Sequence, residues 1–295
     1  TEEGGEAVFT VRLTSRPSSG NVVVSVSSDN ETEGTVSPST LTFNSGNWRS
    51  EQLVRVVGQD DKVSDGNSGF RIILDNSSST TASEYVGLNP ADVMLSNIDD
   101  ESAGFVVSSV SGSTSEVGGT AVFGVRLMSQ PTAAVVIPLS SSDTGEGIVS
   151  PDNLSFSATN WNAEQLVTVT GVDDKLSDGN QGYRIILGAD NSTSDTTGYN
   201  GLNPQDVMVT NVDDESAGFT MTINSYTSEA GAISTIKIKL NSEPTDNVSL
   251  SVASSDTAEG KITSISSGGT TSVAFTTENW NSYKSIVITG QDDNL

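Results

Sequence analysis

The feature of this 295-residue sequence that most limits its fold is a long internal repeat. A unit of about 20–50 residues would indicate a solenoid, whereas a unit above about 100 residues is large enough to be a domain with its own core. Here the period is 114 positions, because Asn97 corresponds to Asn211. The segments that return are NIDDESAGF at 97–105 and NVDDESAGF at 211–219, GLNPADV at 87–93 and GLNPQDV at 201–207, and SDGNSGFRIIL at 64–74 and SDGNQGYRIIL at 177–187.

A third and more diverged copy follows the first two. SSDTGEG at 141–147 returns as SSDTAEG at 254–260, and an Asn-Trp pair precedes the fifth predicted strand of each copy, at Trp48, Trp161 and Trp280. We therefore predict three domains, and we expect the sequence to be a window on a longer array. The predicted domains are 1–102, which lacks its first strand, 103–216, which is complete, and 217–295, which is truncated after strand E.

Each copy has the residue pattern of β-strands. In the third copy Ile236, Ile238 and Leu240 alternate with polar residues, and this period of two indicates one buried and one solvated face. Seven such runs separated by turn residues predict an immunoglobulin-like sandwich, so the expected fold class is all-β, with tandem sandwiches of about seven strands per complete repeat. Strands A to G of the complete copy are predicted at 104–110, 119–128, 134–140, 152–157, 164–171, 182–188 and 205–212.

The composition excludes several classes of function. The net charge is −25, and phosphate binding requires clustered cations, so we expect no nucleic-acid partner. The absence of Cys and His excludes thiol nucleophiles, Ser-His-Asp triads and the usual zinc sites. Paired carboxylates could serve a glycosidase, but every copy carries them and no substrate cleft is indicated, so we predict that the protein is not an enzyme. No apolar run approaches about 20 residues, so no membrane insertion of this segment is expected.

Acidic residues follow all the strands that end at one pole of the predicted sandwich. In an up-and-down arrangement strands A, C, E and G run in the same direction and end together. Close carboxylates repel one another strongly, and Lys175 is the only cation nearby in the sequence of the complete copy. The carboxylates concerned are Glu116 after strand A, Asp143 after C, Asp173, Asp174 and Asp178 after E, and Asp213, Asp214 and Glu215 after G.

A hard divalent cation would relieve this repulsion. Calcium takes about 6–8 oxygen ligands in flexible geometry, whereas magnesium prefers fewer protein ligands and keeps its waters, so Ca²⁺ is the predicted cofactor. The other two copies carry acidic residues at the same positions. In the first copy they are Glu2, Asp29, Asp60, Asp61, Asp65, Asp99, Asp100 and Glu101, and in the third they are Glu229, Asp256, Asp292 and Asp293.

Plainer interpretations stay open for single residues. Asp and Asn next to Gly also cap turns, and this alone would explain Asp65 or Asp178. The convergence of several acidic loops on one pole, repeated along the chain, is harder to explain by turn chemistry. The tryptophans that precede strand E are expected to pack against the core rather than to bind sugar.

These motifs resemble the Calx-β domain over nearly the whole chain. The resemblance rests on TSEVGGTAVFGVRL, VTVTGVDDKLSDGNQGYRIIL and VTNVDDE. The family is found in the regulatory regions of sodium–calcium exchangers, in integrin β4 and in many large bacterial surface proteins, and its fold is an immunoglobulin-like sandwich. The resemblance implies calcium ligands at Glu116, Asp173, Asp174, Asp213 and Asp214, with Asp143 and Asp178 also in register. The family often has Glu where this chain has Asp178.

The function that follows is a calcium-binding repeat region that acts as a calcium-rigidified spacer in an extracellular or cell-surface protein, such as an adhesin or a matrix or filament protein. The expected partners are calcium ions and neighbouring repeats of the same chain, and other copies in a filament or matrix are a further option. Two alternatives stay open: a calcium-sensing regulatory module, and an adhesive domain that binds carbohydrate or protein.

Overall fold

The computed structural model describes residues 1–190, 195–224, 226–266, 268–269 and 271–292. Over these residues every regular element is a β-strand, and the sheets form tandem sandwiches, which confirms the predicted all-β fold. Side chains alternate between buried and exposed along the strands, because one face of each sheet is covered and the other is solvated. Among the described residues, no helix has the length and hydropathy that crossing a membrane requires.

The strands fall into three groups, which we call repeats one, two and three. Repeat one contains β1 Glu6–Val11, β2 Val22–Ser28, β3 Gly34–Ser37, β4 Thr40–Phe43, β5 Gln52–Gly58, β6 Ser68–Asn76 and β7 Val93–Asn97. Repeat two contains β8 Phe105–Val107, β9 Thr114–Ser115, β10 Thr120–Leu127, β11 Val135–Ser141, β12 Gly147–Ser150, β13 Asn153–Phe156, β14 Gln165–Gly171, β15 Gln181–Leu187 and β16 Val207–Val212. Repeat three contains β17 Phe219–Ile223, β18 Ile233–Leu240, β19 Val248–Ser251, β20 Gly260–Ile265, β21 Ser272–Phe275 and β22 Lys284–Gly290.

Repeat two is a sandwich of two sheets. One sheet has the strand order β12-β14-β10-β8 and the other has the order β13-β11-β15-β16-β9. Its nine strands exceed the expected seven by the two short strands β9 and β12. The predicted strand A, 104–110, contains β8 and ends before β9, and the unpredicted β12 precedes the predicted strand D, which is β13. Pro151 lies between β12 and β13, and because proline has no N–H it cannot continue the hydrogen-bond ladder of β12.

Each repeat has its own hydrophobic core between its sheets. In repeat two the core includes the fully buried Phe123, Ile137, Phe156 and Ile185. The tryptophans Trp48, Trp161 and Trp280 each pack against the core of their own repeat, as the sequence predicted. Separate cores explain why the sequence period is as long as a domain.

Neighbouring repeats are joined by the loop that follows the fifth predicted strand, here called the E–F loop. The backbone carbonyl of Lys62 in repeat one accepts a hydrogen bond of 2.8 Å from the N–H of Gln130 in repeat two. The same contact recurs at the next junction, where the carbonyl of Lys175 accepts a bond of 2.9 Å from the N–H of Glu243. Both lysines have left-handed backbones, with φ of 67° and 73°. The two junctions of the chain are therefore built in the same way.

Candidate metal centre

Three elements of repeat two deliver carboxylates to the same end of the sandwich. β9 and β16 run parallel with Ser115 opposite Val212, and the N–H of Glu116 donates to the carbonyl of Val212 over 3.1 Å. β14 ends beside them at Gly171, where a Cβ atom would lie 2.2 Å from the carbonyl oxygen of Ser115, so only glycine allows this close approach. The residues that follow β9, β14 and β16 therefore meet at one pole.

The most buried group of carboxylates at this pole is here called the inner cluster. Its ligand oxygens all lie within 4.8 Å of one another. Glu116 is only 3% exposed, and its counterpart Glu2 in repeat one is 2% exposed. The inner cluster consists of Glu116, Asp173 and Glu215 in repeat two, and of Glu2, Asp99 and Glu101 in repeat one.

Several oxygens of the inner clusters are buried without a partner. The Oε2 atoms of Glu116 and Glu215 have no hydrogen-bond partner, and the same holds for the Oε2 atoms of Glu2 and Glu101. Burial, together with the neighbouring carboxylate of Glu215, raises the pKa of Glu116 from 4.5 to about 7. Burial and the carboxylates around it also raise the pKa of Glu2 to about 7. The protein thus holds acidic groups in an environment that opposes their ionisation.

The inner clusters fit a divalent cation. Burying an anion without a partner costs on the order of several kcal/mol, unless a cation or hydrogen bonds compensate the charge. A cation between Glu116, Asp173 and Glu215 would give the unpaired oxygens a partner and favour their ionised forms. The donors are all carboxylate oxygens, which suit hard ions such as calcium, magnesium or manganese rather than copper or zinc.

A second group, here called the outer cluster, lies beside the first. It joins Glu146, Asp174 and Asp178, whose ligand oxygens also lie within 4.8 Å of one another. Glu146 is not among the predicted ligands, because it immediately precedes β12 rather than following a strand. Asn211 positions it, because the buried Asn211 side-chain N–H groups donate to Glu146 Oε2 over 3.3 Å and to the carbonyl of Val172 over 2.9 Å. Burial is the main cause of the raised pKa of Glu146.

A sequence signal for this missed residue exists. A Glu-Gly pair recurs at the start of a strand in each copy, with the glutamates at Glu33, Glu146 and Glu259. In repeat one, Asn97 donates to Glu33 Oε2 over 3.4 Å and to the carbonyl of Gln59 over 2.8 Å, as its counterpart does in repeat two. The asparagine at the end of the last strand therefore holds both the glutamate and the E–F loop.

The sequence profile of the Calx-beta domain matches the chain twice, over residues 1–102 and 99–215. The chain belongs to the Calx-beta domain family. No curated protein sequence matches it significantly. Its tandem Calx-beta sandwiches are therefore established by the profile and by the strand arrangement of the structure.

Solved structures with a similar fold include tandem domains. One is the crystal structure of CBD12 from CALX1.2, with 17% sequence identity to this chain. The match covers 72% of this chain and 94% of the CALX1.2 chain, with a TM-score of 0.34. A second is the calcium binding domain CBD12 of CALX1.1, with 20% sequence identity. The match covers 64% of this chain and 76% of the CALX1.1 chain, with a TM-score of 0.31. A third is the Escherichia coli adhesin FdeC, with 10% sequence identity. The match covers 97% of this chain and 88% of the FdeC chain, with a TM-score of 0.27.

Some of the predicted Calx-beta ligands also hold the loops of the pole in place. In repeat two, Asp213 accepts hydrogen bonds of 2.7 Å from the N–H of Gly179 and from the N–H of Glu215. Asp174 accepts a bond of 2.8 Å from the N–H of Leu176. In repeat one the corresponding acceptors are Asp99, for Gly66 and Glu101, and Asp61, for Val63. Turn capping and cation binding are thus not exclusive at these positions.

A lysine lies beside each inner cluster. Lys175 Nζ forms an ion pair with Asp173 and lies 3.6 Å from Glu215 Oε1. In repeat one, Lys62 pairs with Asp60 and lies 3.5 Å from Glu101 Oε1. The hydrogen bond to the adjacent aspartate is the main cause of the raised pKa of each lysine. One exposed ammonium group balances only part of the charge of its cluster.

The structure does not place Asp29 in the same position as Asp143. Asp29 pairs with Arg71, with 3.0 Å between Oδ2 and Nε, and this contact lowers its pKa. The residue that corresponds to Asp143 is Asn30, because both carbonyls accept a hydrogen bond from the glycine that begins the next strand. The sequence pairing of Asp29 with Asp143 followed the Ser-Ser-Asp string that both copies share, but the two loops have equal length and Asp29 corresponds to Ser142.

The remaining predicted ligands of repeats one and two lie at the rim of the pole. Asp143 Oδ1 accepts a bond of 2.9 Å from the N–H of Gly145, and its charge contributes to the raised pKa of Glu146. The pKa of Asp65 is raised by desolvation and by the nearby carboxylates, of which Asp61 is the first. The side chains of two further predicted ligands, Asp100 and Asp214, are exposed.

The pole of repeat three is more open. Glu229 and the counterpart of the missed glutamate, Glu259, line one shallow cavity together with Gln291. Asp256 caps its own loop by accepting a bond of 2.9 Å from the N–H of Ala258. Asp292 lies at the end of the described part of the chain, and Asp293 lies outside the described residues. Among the described residues of repeat three, no three carboxylates converge as they do in repeats one and two.

Proposed function

We propose that the chain is a calcium-binding repeat region in which calcium stiffens the junctions between Calx-beta domains. The observation that carries this proposal is that one loop serves both the metal centre and the junction. The E–F loop of repeat two supplies Asp173 and Asp174 to the two clusters, and its next residue, Lys175, accepts a hydrogen bond from Glu243 of repeat three. Repeat one and repeat two are joined through Lys62 and Gln130 in the same way.

The linker between repeats also belongs to the metal centre. Glu215, an inner-cluster residue, lies in the short segment between β16 and β17. The N–H of Ala217, two positions later, donates over 3.2 Å to Ser177 Oγ in the E–F loop. A cation bound by Glu116, Asp173 and Glu215 would therefore tie strand β9, the E–F loop and the linker together.

Electrostatics give the direction of the effect. Without a cation, the carboxylates of Glu116, Asp173 and Glu215 repel one another, and this repulsion favours separation of the linker from the E–F loop. With a cation the same groups attract a common centre, which restricts the linker. Calcium is the ion of choice, because many carboxylate ligands and flexible coordination suit it better than magnesium.

The same geometry is compatible with a calcium sensor, and affinity separates the two functions. Sensors bind calcium at about 10⁻⁷–10⁻⁵ M, whereas extracellular modules bind at about 10⁻⁴–10⁻³ M. Two junctions of identical construction favour a spacer, since a rod needs the same connection at each step. A spacer in an extracellular or cell-surface protein would meet calcium in the millimolar range.

Small-angle X-ray scattering of the 295-residue chain tests this proposal. We expect calcium to increase the radius of gyration to a fixed value and to narrow the distribution of interatomic distances, relative to the chain in chelator. Asp173→Asn should weaken the response, while Asp152→Asn, on the edge of the sandwich between β12 and β13, should leave it intact. Identical scattering with and without calcium would contradict the spacer function.

A further inference from the structure

One lysine in each of the E–F loops of repeats one and two has a backbone conformation that its residue type disfavours. Lys62 and Lys175 have φ angles of 67° and 73°, in the left-handed region where a Cβ atom is crowded and glycine is the usual residue. Within the described ranges they are the only residues other than glycine with a positive φ. Both repeats thus carry lysine at a position where it costs conformational energy.

The junction between repeats explains the backbone of this turn but not its side chain. The carbonyl of Lys175 accepts a hydrogen bond from Glu243, and the carbonyl of Lys62 accepts one from Gln130. Every residue has such a carbonyl group, and glycine would present it with less strain. The reason for a lysine therefore lies in what its side chain contacts.

The ammonium groups of these lysines lie on carboxylates of the metal centre. Lys175 Nζ pairs with Asp173 and lies 3.6 Å from Glu215 Oε1, so it contacts two of the three members of the inner cluster. Lys62 Nζ lies 3.5 Å from the Oε1 atom of Glu101, an inner-cluster residue of repeat one. The same charge in the same place in two repeats indicates a role for the charge itself.

The ammonium group reaches its cluster from the solvent side. The Lys175 side chain is 53% exposed, whereas that of Glu215 is 10% exposed. Glu116, the third member of the cluster, is 3% exposed, and its Oε2 atom has no hydrogen-bond partner. The lysine therefore compensates only the outer part of the cluster, and its exposed side chain is free to move into solvent.

A calcium ion and the ammonium group would compete for the same carboxylates. Both are cations that interact with the oxygens of Asp173 and Glu215, and a calcium ion within the cluster would repel the nearby ammonium group. The divalent ion has the stronger attraction for the carboxylates, and an exposed ion pair is weak, so calcium displaces the lysine. The displaced charge still lowers the net gain in free energy on calcium binding.

We propose that Lys62 and Lys175 are resident counter-ions that calcium displaces, and that they set the calcium affinity of repeats one and two. This inference rests on the proposed calcium centre and names the residues that tune it. Without calcium, the ammonium group offsets part of the repulsion between the E–F loop and the linker. With calcium, its charge weakens binding, which shifts the affinity away from that of a sensor and toward the weaker range of extracellular modules.

Calcium calorimetry of a variant that combines Lys62→Met with Lys175→Met tests the proposal. Methionine is similar in length to lysine and also disfavours a positive φ, but it has no charge. We expect the calcium affinity of repeats one and two to rise about 3–10-fold, the effect of one exposed charge near a partly solvated ion. In chelator the same variant should melt at a slightly lower temperature, because its clusters lose a counter-ion. A lysine with a purely structural role would not give this combination, since its loss would lower both stability and affinity.

Lys237→Met combined with Lys284→Met is the matched control. It removes the same amount of charge from β18 and β22 of repeat three, away from the clusters of repeats one and two, and should leave their calcium affinity unchanged. A variant that combines Lys62→Arg with Lys175→Arg keeps both charges and should bind calcium more weakly than the methionine variant.

The outcomes separate this inference from the calcium centre on which it rests. Calcium binding by the unaltered chain, with unchanged or lower affinity in the Lys62→Met, Lys175→Met variant, would overturn the role of the lysines and leave the calcium centre standing. An equal gain of affinity in the Lys237→Met, Lys284→Met control would overturn it too, because the effect would then come from net charge alone. No calcium binding by the unaltered chain would overturn both.

Discussion

In repeat two the carboxylates of Glu116 and Glu215 have oxygens within 4.8 Å of each other, and each carboxylate keeps one buried oxygen without a hydrogen-bond partner. The two residues come from the first and last parts of the domain, and the parallel pairing of β9 with β16 brings them together. This contact between like charges is stable only when protons or a cation compensate it.

Calcium should stabilise the chain against heat. It binds the folded pole and not the unfolded chain, so at 100 times its dissociation constant it adds about 2.7 kcal/mol to the free energy of unfolding. For a domain of this size, the melting temperature should rise by several degrees. Thermal melts in calcium and in chelator measure the difference, and superimposed curves would show that no cation is bound at the pole.

Asp174→Asn should weaken calcium binding in repeat two. The substitution keeps the size of the side chain and removes one anionic ligand of the outer cluster. The calcium-free domain should fold normally or become slightly more stable, because repulsion is relieved. Asp152→Asn is the matched control, as Asp152 lies between β12 and β13, outside both clusters, and its side chain accepts a hydrogen bond from Asn153. Equal losses of affinity in both variants would contradict the assignment of the pole.

Glu146→Gln should also weaken calcium binding, although sequence reasoning did not select Glu146. The amide can still accept the hydrogen bond from Asn211, so the loop should keep its position while the outer cluster loses a charge. Calorimetric titration of the variant should show a lower affinity or a loss of one class of sites. An unchanged isotherm would exclude Glu146 from the coordination sphere.

The calcium-free chain should lose stability as the pH rises from about 5 to 7. The pKa of Glu116 is about 7 in the folded chain and 4.5 without its environment. The folded state therefore binds more protons in this interval, and its stability is highest below it and falls as the pH passes through it. Thermal melts in chelator at pH 5.5 and 7.5 measure this effect.

Protons and calcium should compete for the same oxygens. Calcium affinity is therefore expected to fall as the pH is lowered from 7.5 to 5.5. Glu116→Gln provides the control, because the variant has no such proton to lose and its calcium-free stability should depend less on pH. A calcium-free chain that becomes more stable between pH 5.5 and 7.5 would contradict the burial of an acidic glutamate at the pole.

The sequence was sufficient for the all-β fold and for the family, because period-two alternation and the Asp-Asp loops are local features. The clustering of Glu116 with Asp173 followed from strand direction alone. Glu146 was not predicted because it precedes a strand, whereas the predicted ligands all follow strands; strands of opposite direction begin at the same pole. Asp29 was matched to the wrong partner because the Ser-Ser-Asp string recurs one residue out of register, so that Asn30 and not Asp29 occupies the position of Asp143. The hydrogen bond between Lys175 and Glu243 joins two domains. The alternation of buried and exposed residues within one domain cannot predict such a contact.

Calcium titration of the 295-residue chain by calorimetry, with magnesium as the control, tests the central claim most directly. We predict saturable calcium binding that is strong for repeats one and two and weak or absent for repeat three, whose described residues lack a convergent carboxylate cluster. Magnesium should bind more weakly. No heat of binding with calcium, or equal binding of both ions, would contradict the proposal that this pole is a calcium centre.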